Sequence, residues 1–168
     1  MSDEIVNRVA QSKLVTFDLE DLYPSGERTL FDISDWLFEG LILREKDFRE
    51  EANSYDWSQH QNSYVALFCS ADAIIPGWAY LFLASKLKPY AKKVVVGDLE
   101  TLETSIYQEI LQDLDTSHFV DKPVIIKGCS HKPVPQNAYL FAIEKIQEVA
   151  KSVMYGEACS SVPLYKRK

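Results

Sequence analysis

A chain of 168 residues with 25 acidic against 18 basic residues, net charge −7, is long enough to bury a substantial core. Its 46% hydrophobic and 12% aromatic content excludes a disordered chain. Its acidity excludes a general nucleic-acid binder, which needs clustered Lys and Arg to neutralise phosphates.

From the N-terminus, Ser2 to Gln11 reads as a short helix: Ser2 caps it, Asp3 and Glu4 suit its positive end, and Ile5, Val6 and Val9 share a face. The segment has no basic, then apolar, leader pattern, so no secretory signal is expected. Lys13 to Leu19 alternates as a strand. Tyr23 to Gly26 is a turn, and Arg28 to Ile33 reads as a second strand and hairpin partner of the first. Ser34 is placed to cap a helix from Asp35 to about Glu51. Polar residues 53–62, with Trp57 inside them, read as loop or broken helix.

Ser63 to Phe68 is a strand that ends at Cys69. Pro76 to Leu87 is a helix with apolar residues on nearly every side. The apolar stretch 73–84 is too short to span a bilayer. Lys92 to Val96 is a strand, and Leu99 to Leu114 an amphipathic helix with apolar residues at steps of three and four. Pro123 to Lys127 is a strand that leads to Gly128 and Cys129. Pro135 to Lys151 is a helix and Ser152 to Tyr155 a last strand, followed by Cys159. The basic tail Lys166-Arg167-Lys168 reads as a solvated terminus.

An internal repeat runs through this order. Pro76-Gly-Trp-Ala-Tyr-Leu-Phe answers Pro135-Gln-Asn-Ala-Tyr-Leu-Phe, and Gly97-Asp98 answers Gly156-Glu157. Two strand–helix–strand units follow, 63–97 and 122–156. Strands joined by helical crossovers pair in parallel. The expected fold is a single α/β domain over 1–168, layered, with a largely parallel sheet built from the two units and a small N-terminal α+β addition.

Three times the chain writes Cys-Ser before a proline: Cys69 before Pro76, Cys129 before Pro135 and Cys159 before Pro163. In an open parallel sheet, ligands gather at the carboxyl ends of the strands, where each cysteine falls. Helix N-termini there favour the thiolate that both metal ligation and nucleophilic attack need. Thiolates sharing one ion lie roughly 3.8 Å apart, given a metal–sulfur distance of about 2.3 Å. The expectation is therefore a metal site of Cys69, Cys129 and Cys159, with His131 as fourth ligand, for zinc or an iron–sulfur cluster. A thiol relay for redox or sulfur transfer is the alternative. A third reading makes the cysteines core residues of an interaction protein, because free cysteine is among the most buried residue types. His60 and His118 lie in polar stretches and are expected to be exposed, and Asp18, Glu20 and Asp21 form an acidic cluster, read as a solvated face with a hard-cation site as the alternative. Tyr80 and Tyr139 occupy equivalent places at the starts of the repeat helices. The chain is expected to be cytoplasmic, where thiols stay reduced.

The strings Val9 to Ser12, Phe17 to Glu20, Phe38-Glu-Gly-Leu-Ile-Leu-Arg-Glu-Lys-Asp-Phe-Arg, Cys69 to Pro76 and Gly156 to Lys166 resemble the bacterial domain-of-unknown-function 2480 family over almost the whole chain. The family has no established activity. Its genes often lie near iron–sulfur assembly genes, so the resemblance implies cluster or metal handling, with iron–sulfur assembly proteins as partners; the composition and apolar lengths above point to neither nucleic acid nor membrane. It assigns no catalytic residue.

Overall fold

The structure, a computed structural model, describes residues 13–128 and 130–168, so the helix expected over 2–11 lies outside the described residues. In chain order the strands are β1 (Val15–Phe17), β2 (Arg28–Asp32), β3 (Tyr64–Phe68), β4 (Lys93–Val96), β5 (Pro123–Ile126), β6 (Ser152–Glu157) and β7 (Ser160–Lys166). The helices are α1 (Glu45–Ser54), α2 (Gly77–Leu87), α3 (Leu99–Gln112) and α4 (Gln136–Gln147). The expected α/β class holds. Among the pairs of named strands, only β6–β7 is antiparallel; the others are parallel.

The chain divides into two compact units, named here for their place in the sequence. The central unit is Pro24–Ile106, and the terminal unit joins the chain up to Tyr23 with Tyr107–Lys168. Each has its own sheet: β2-β3-β4 in the central unit and β1-β5-β6-β7 in the terminal one. The parallel pairing is thus divided between two sheets instead of running through one.

The repeat is more complete in the structure than in the sequence. Leu67 pairs with Phe31 on one side and Val96 on the other. Ile126 pairs with Phe17 and Tyr155. The steps 67 to 126, 96 to 155 and Pro76 to Pro135, the two helix caps, are all 59 residues. In α2 the buried positions are Ala79, Leu83 and Leu87; in α4 they are Ala138, Ala142 and Ile146, the same face at the same step. Spacing by four keeps each set on one stripe against its sheet. The middle strands carry near-continuous apolar runs, Val65 to Leu67 and Val124 to Ile126, all buried, as strands covered on both faces must. Gly97 (φ 140) and Gly156 (φ 123) are equivalent exits from β4 and within β6. A Cβ at Gly156 would lie 2.6 Å from Ser160 O, so the tight hairpin into β7 requires glycine there.

The expected β1–β2 hairpin is corrected: β1 pairs with β5 and β2 with β3, both in parallel. Each first strand instead opens a unit, bordering the strand that follows it in its own sheet. The helix expected over 35–51 is also corrected. A 3-10 turn, Ile33–Trp36, capped by Asp32 and not by Ser34, replaces its start. Glu39 (φ 51) and Gly40 (φ 69) then reverse the chain inside a Phe38–Ile42 bridge. Two successive left-handed residues cannot continue an α-helix, so α1 begins only at Glu45. Residues 53–62 include a 3-10 turn, Trp57–His60, capped by Asp56. The tail is exposed, as a solvated terminus should be, yet it is fastened at its base. Lys166 pairs with Ser152 on β6, and the Arg167 guanidinium donates to Val149 O at 2.7 Å.

Candidate functional site

The carboxyl edge of the central sheet is tied together by one carboxylate. Asp32, the last residue of β2, accepts the N–H of Ser34 at 2.9 Å and of Ser70 at 3.0 Å. The Ser70 hydroxyl donates to Ser34 Oγ at 3.0 Å. The loop after β2 is thereby fastened to the loop after β3. Burial opposes ionisation of Asp32, but the hydrogen bonds from Ser70 and Ser34 outweigh it and lower its pKa to about 2. Cys69 stands next to this lock. It is half-buried, and its Sγ–H points to Ala71 O at 3.6 Å. Tyr80, at the start of α2, lies beside it; burial first, and the neighbouring Cys69 second, raise the phenol pKa.

The matching edge of the terminal sheet is tied by charge. Asp18 follows β1 as Asp32 ends β2. Its Oδ1 accepts the Glu20 N–H at 3.0 Å, and its Oδ2 pairs with Lys127 Nζ at 2.8 Å. Burial would raise the Asp18 pKa, but Lys127 and the Glu20 N–H outweigh it and bring it below the ordinary range. Lys127 is raised in turn by Asp18. Glu20 accepts the His131 N–H at 3.1 Å, and Lys132 Nζ lies 5.6 Å from the centre of the Tyr23 ring. The expected acidic face of Asp18, Glu20 and Asp21 is therefore corrected: Asp18 and Glu20 hold the loop after β5. His131 itself is exposed.

The sequence carries the signal for this pair of locks. Phe17-Asp-Leu-Glu-Asp-Leu and Phe31-Asp-Ile-Ser-Asp-Trp share one pattern, Phe-Asp, a branched aliphatic, any residue, Asp, then a large apolar residue. In both, the first Asp caps a 3-10 turn through its side chain.

The three cysteines do not occupy equivalent places. At the 59-residue step, Cys69 matches Gly128 and Ser70 matches position 129. The physical reason lies on the next strand. A Cβ at Gly128 would lie 2.9 Å from Cζ of Tyr155, whereas the residue matching Tyr155 in the central sheet is the smaller Val96. The ring takes the space a side chain at 128 would need. Cys129 lies outside the described residues. Cys159 is exposed at the two-residue tip between β6 and β7, at the carboxyl end of β6. That tip and the Lys127–Pro135 loop share one edge, since Ile126 and Tyr155 are paired neighbours and the Tyr155 hydroxyl donates to Gly128 O at 3.4 Å. Cys69 belongs to the other sheet. Among the described residues no group of three His, Cys, Asp or Glu side chains is placed to hold a metal ion, so these residues alone do not form a closed metal site.

His118 is exposed as expected, but His60 is buried at 5% exposure, which corrects its reading as a solvated histidine. Its ring packs in an aromatic cluster with Phe31, Tyr55 and Trp57. Tyr139 packs edge-on against Tyr155 at 5.9 Å. Among the described residues, no helix is long and apolar enough to cross a membrane.

A family model described as "Protein of unknown function (DUF2480)" matches residues 3–167. No curated protein and no solved structure matches the chain.

Proposed function

The chain belongs to the DUF2480 family, and from that premise we propose that it is a binding protein that handles a metal ion or an iron–sulfur cluster at the carboxyl edge of the terminal sheet. One observation carries the reading: the exposed thiol of Cys159 stands on the same sheet edge as the loop in which Cys129 lies in sequence, between Gly128 and Ser130. Cys129 and Cys159 would supply thiolates and His131 an imidazole. Such an incomplete donor set suits transient holding and transfer better than a closed structural site, which surrounds its ion with four protein ligands. The partner would complete the shell, and iron–sulfur assembly proteins fit that part. Zinc and a cluster are both compatible with a donor set of this kind. The free thiols of Cys69 and Cys159 fit a reducing compartment, in keeping with a cytoplasmic location. Cys69 is left out of the set, because its thiol points to Ala71 O in its own loop.

A thiol relay is the second reading. Lys127 and Lys132 lie two and three residues from position 129, and cationic neighbours favour the thiolate such chemistry requires. The test is purification without oxygen and without a metal-binding tag, followed by metal analysis and absorbance. Stoichiometric metal that His131→Ala weakens supports the binding protein. Absent metal with one fast-alkylating cysteine supports the relay. Absent metal with three slow cysteines removes both and leaves an interaction protein with structural cysteines.

A further inference from the structure

Beside β2 in the central unit lies a cavity of about 370 Å³, large enough for a small organic molecule. Its aromatic lining is Phe31, Trp36, Tyr55 and His60. These rings form a continuous set: Phe31 to Trp36 is 5.2 Å between centres, Trp36 to Tyr55 is 5.5 Å, and Tyr55 to His60 is 5.7 Å. Buried Trp57 backs them, 4.7 Å from Tyr55 and stacked on Phe31 at 5.7 Å. The charged lining is all of one sign, from Glu27, Asp32 and Asp35, with neither lysine nor arginine in it.

Histidine adds no compensating charge near neutral pH. Burial holds the His60 pKa below its ordinary value, against the attraction of Glu27 and Asp56. His60 Nε2 meets Tyr55 Oη at 2.9 Å, and its Nδ1 makes no hydrogen bond among the described residues. An apolar core would close over such rings and would not line the remaining space with carboxylates. Aromatic faces carry a negative quadrupole, so rings and carboxylates together favour the same guest: a cation with an apolar surface.

We propose that this cavity binds an organic ammonium cation, with its alkyl groups against Trp36 and Tyr55 and its charge facing Glu27 and Asp35. Inorganic cations fit less well, because they bring no apolar surface to the rings. The ammonium group belongs either to a free small molecule or to an alkylated lysine side chain, and the experiment separates these sources.

All three tryptophans of the protein, Trp36, Trp57 and Trp78, lie in the central unit, so intrinsic fluorescence reports on this unit. The full chain is titrated with choline, with 3,3-dimethylbutan-1-ol, which has the same shape without charge, with a trimethyl-lysine peptide, and with sodium chloride at matched ionic strength. A saturable response to choline or to the peptide is expected, with the alcohol binding about tenfold more weakly. The tighter of the two cationic probes identifies the source. Glu27→Gln with Asp35→Asn changes two exposed side chains and should weaken the cation about tenfold while circular dichroism stays unchanged. Trp36→Leu should abolish binding. Equal affinity for choline and the alcohol, no saturable response to either cation, or a response that survives the Glu27 and Asp35 changes would overturn the proposal.

Discussion

At the end of β2, Asp32 is met by the backbone N–H groups of two serines; after β1, Asp18 is met by the ammonium group of Lys127. Both carboxylates do the same mechanical work, fastening the loop after a first strand to the loop after its neighbour. The scaffold is repeated down to the pairing of single residues, and the chemistry on it has diverged. The cysteines follow the divergence and not the repeat. Cys69 holds the place where the terminal unit has Gly128 beneath Tyr155. A shared motif in the sequence is therefore not a shared position in the fold.

The largest expected effect probes the common scaffold. Leu87 and Ile146 are equivalent and fully buried. Leu87→Ala and Ile146→Ala should each cost about 2–5 kcal/mol by denaturant unfolding, and similar costs would confirm that the two helices bury matching faces. A near-zero cost at either position breaks the equivalence.

Next comes the position where the units differ. Gly128→Ala should cost about 1–3 kcal/mol through the clash with Tyr155. Adding Tyr155→Val, which imitates Val96, should recover most of that loss, so a double-mutant cycle reads the coupling directly. Without such recovery, the ring is not what keeps a side chain out of position 128.

The smallest effects compare the locks. Asp18→Asn and Asp32→Asn should each cost about 1 kcal/mol. Salt should shrink the Asp18 difference, which rests on an ion pair with a third-exposed lysine, and leave the Asp32 difference nearly unchanged. Acid acts on Asp32 with a definite sign. Its folded pKa lies below its ordinary value of 3.8, so its stabilisation is complete above that pH and is lost as pH falls through about 2. The gap between wild type and Asp32→Asn should narrow over that window in acid titrations followed by circular dichroism.

The sequence made the repeated strand–helix–strand parts legible because their signals are local: proline at each helix start, apolar spacing by four, and continuous apolar middle strands. In the sequence β1 and β2 look like a hairpin because their partners are remote. Phe17 pairs with Ile126 and Phe31 with Leu67, and alternation alone cannot tell a parallel neighbour from the next strand along. β7 was missed because Pro163 interrupts its pattern, yet an edge strand tolerates a proline that need not donate. The helix over 35–51 failed at Glu39, whose left-handed backbone has no composition signal. At the candidate site, the positions of Cys69 and Cys159 at strand ends were legible, whereas their membership of different units was not, since cysteine spacing carries no information about which sheet a strand joins.

The most direct test of the account compares Cys69→Ser with Cys159→Ser in protein purified without oxygen, with metal content measured per chain. Cys69→Ser is expected to keep the wild-type metal content and Cys159→Ser to lose it, because the proposed ligands stand at the terminal edge while the Cys69 thiol points to Ala71 O. Equal loss from both variants would contradict it and return Cys69 to a shared site.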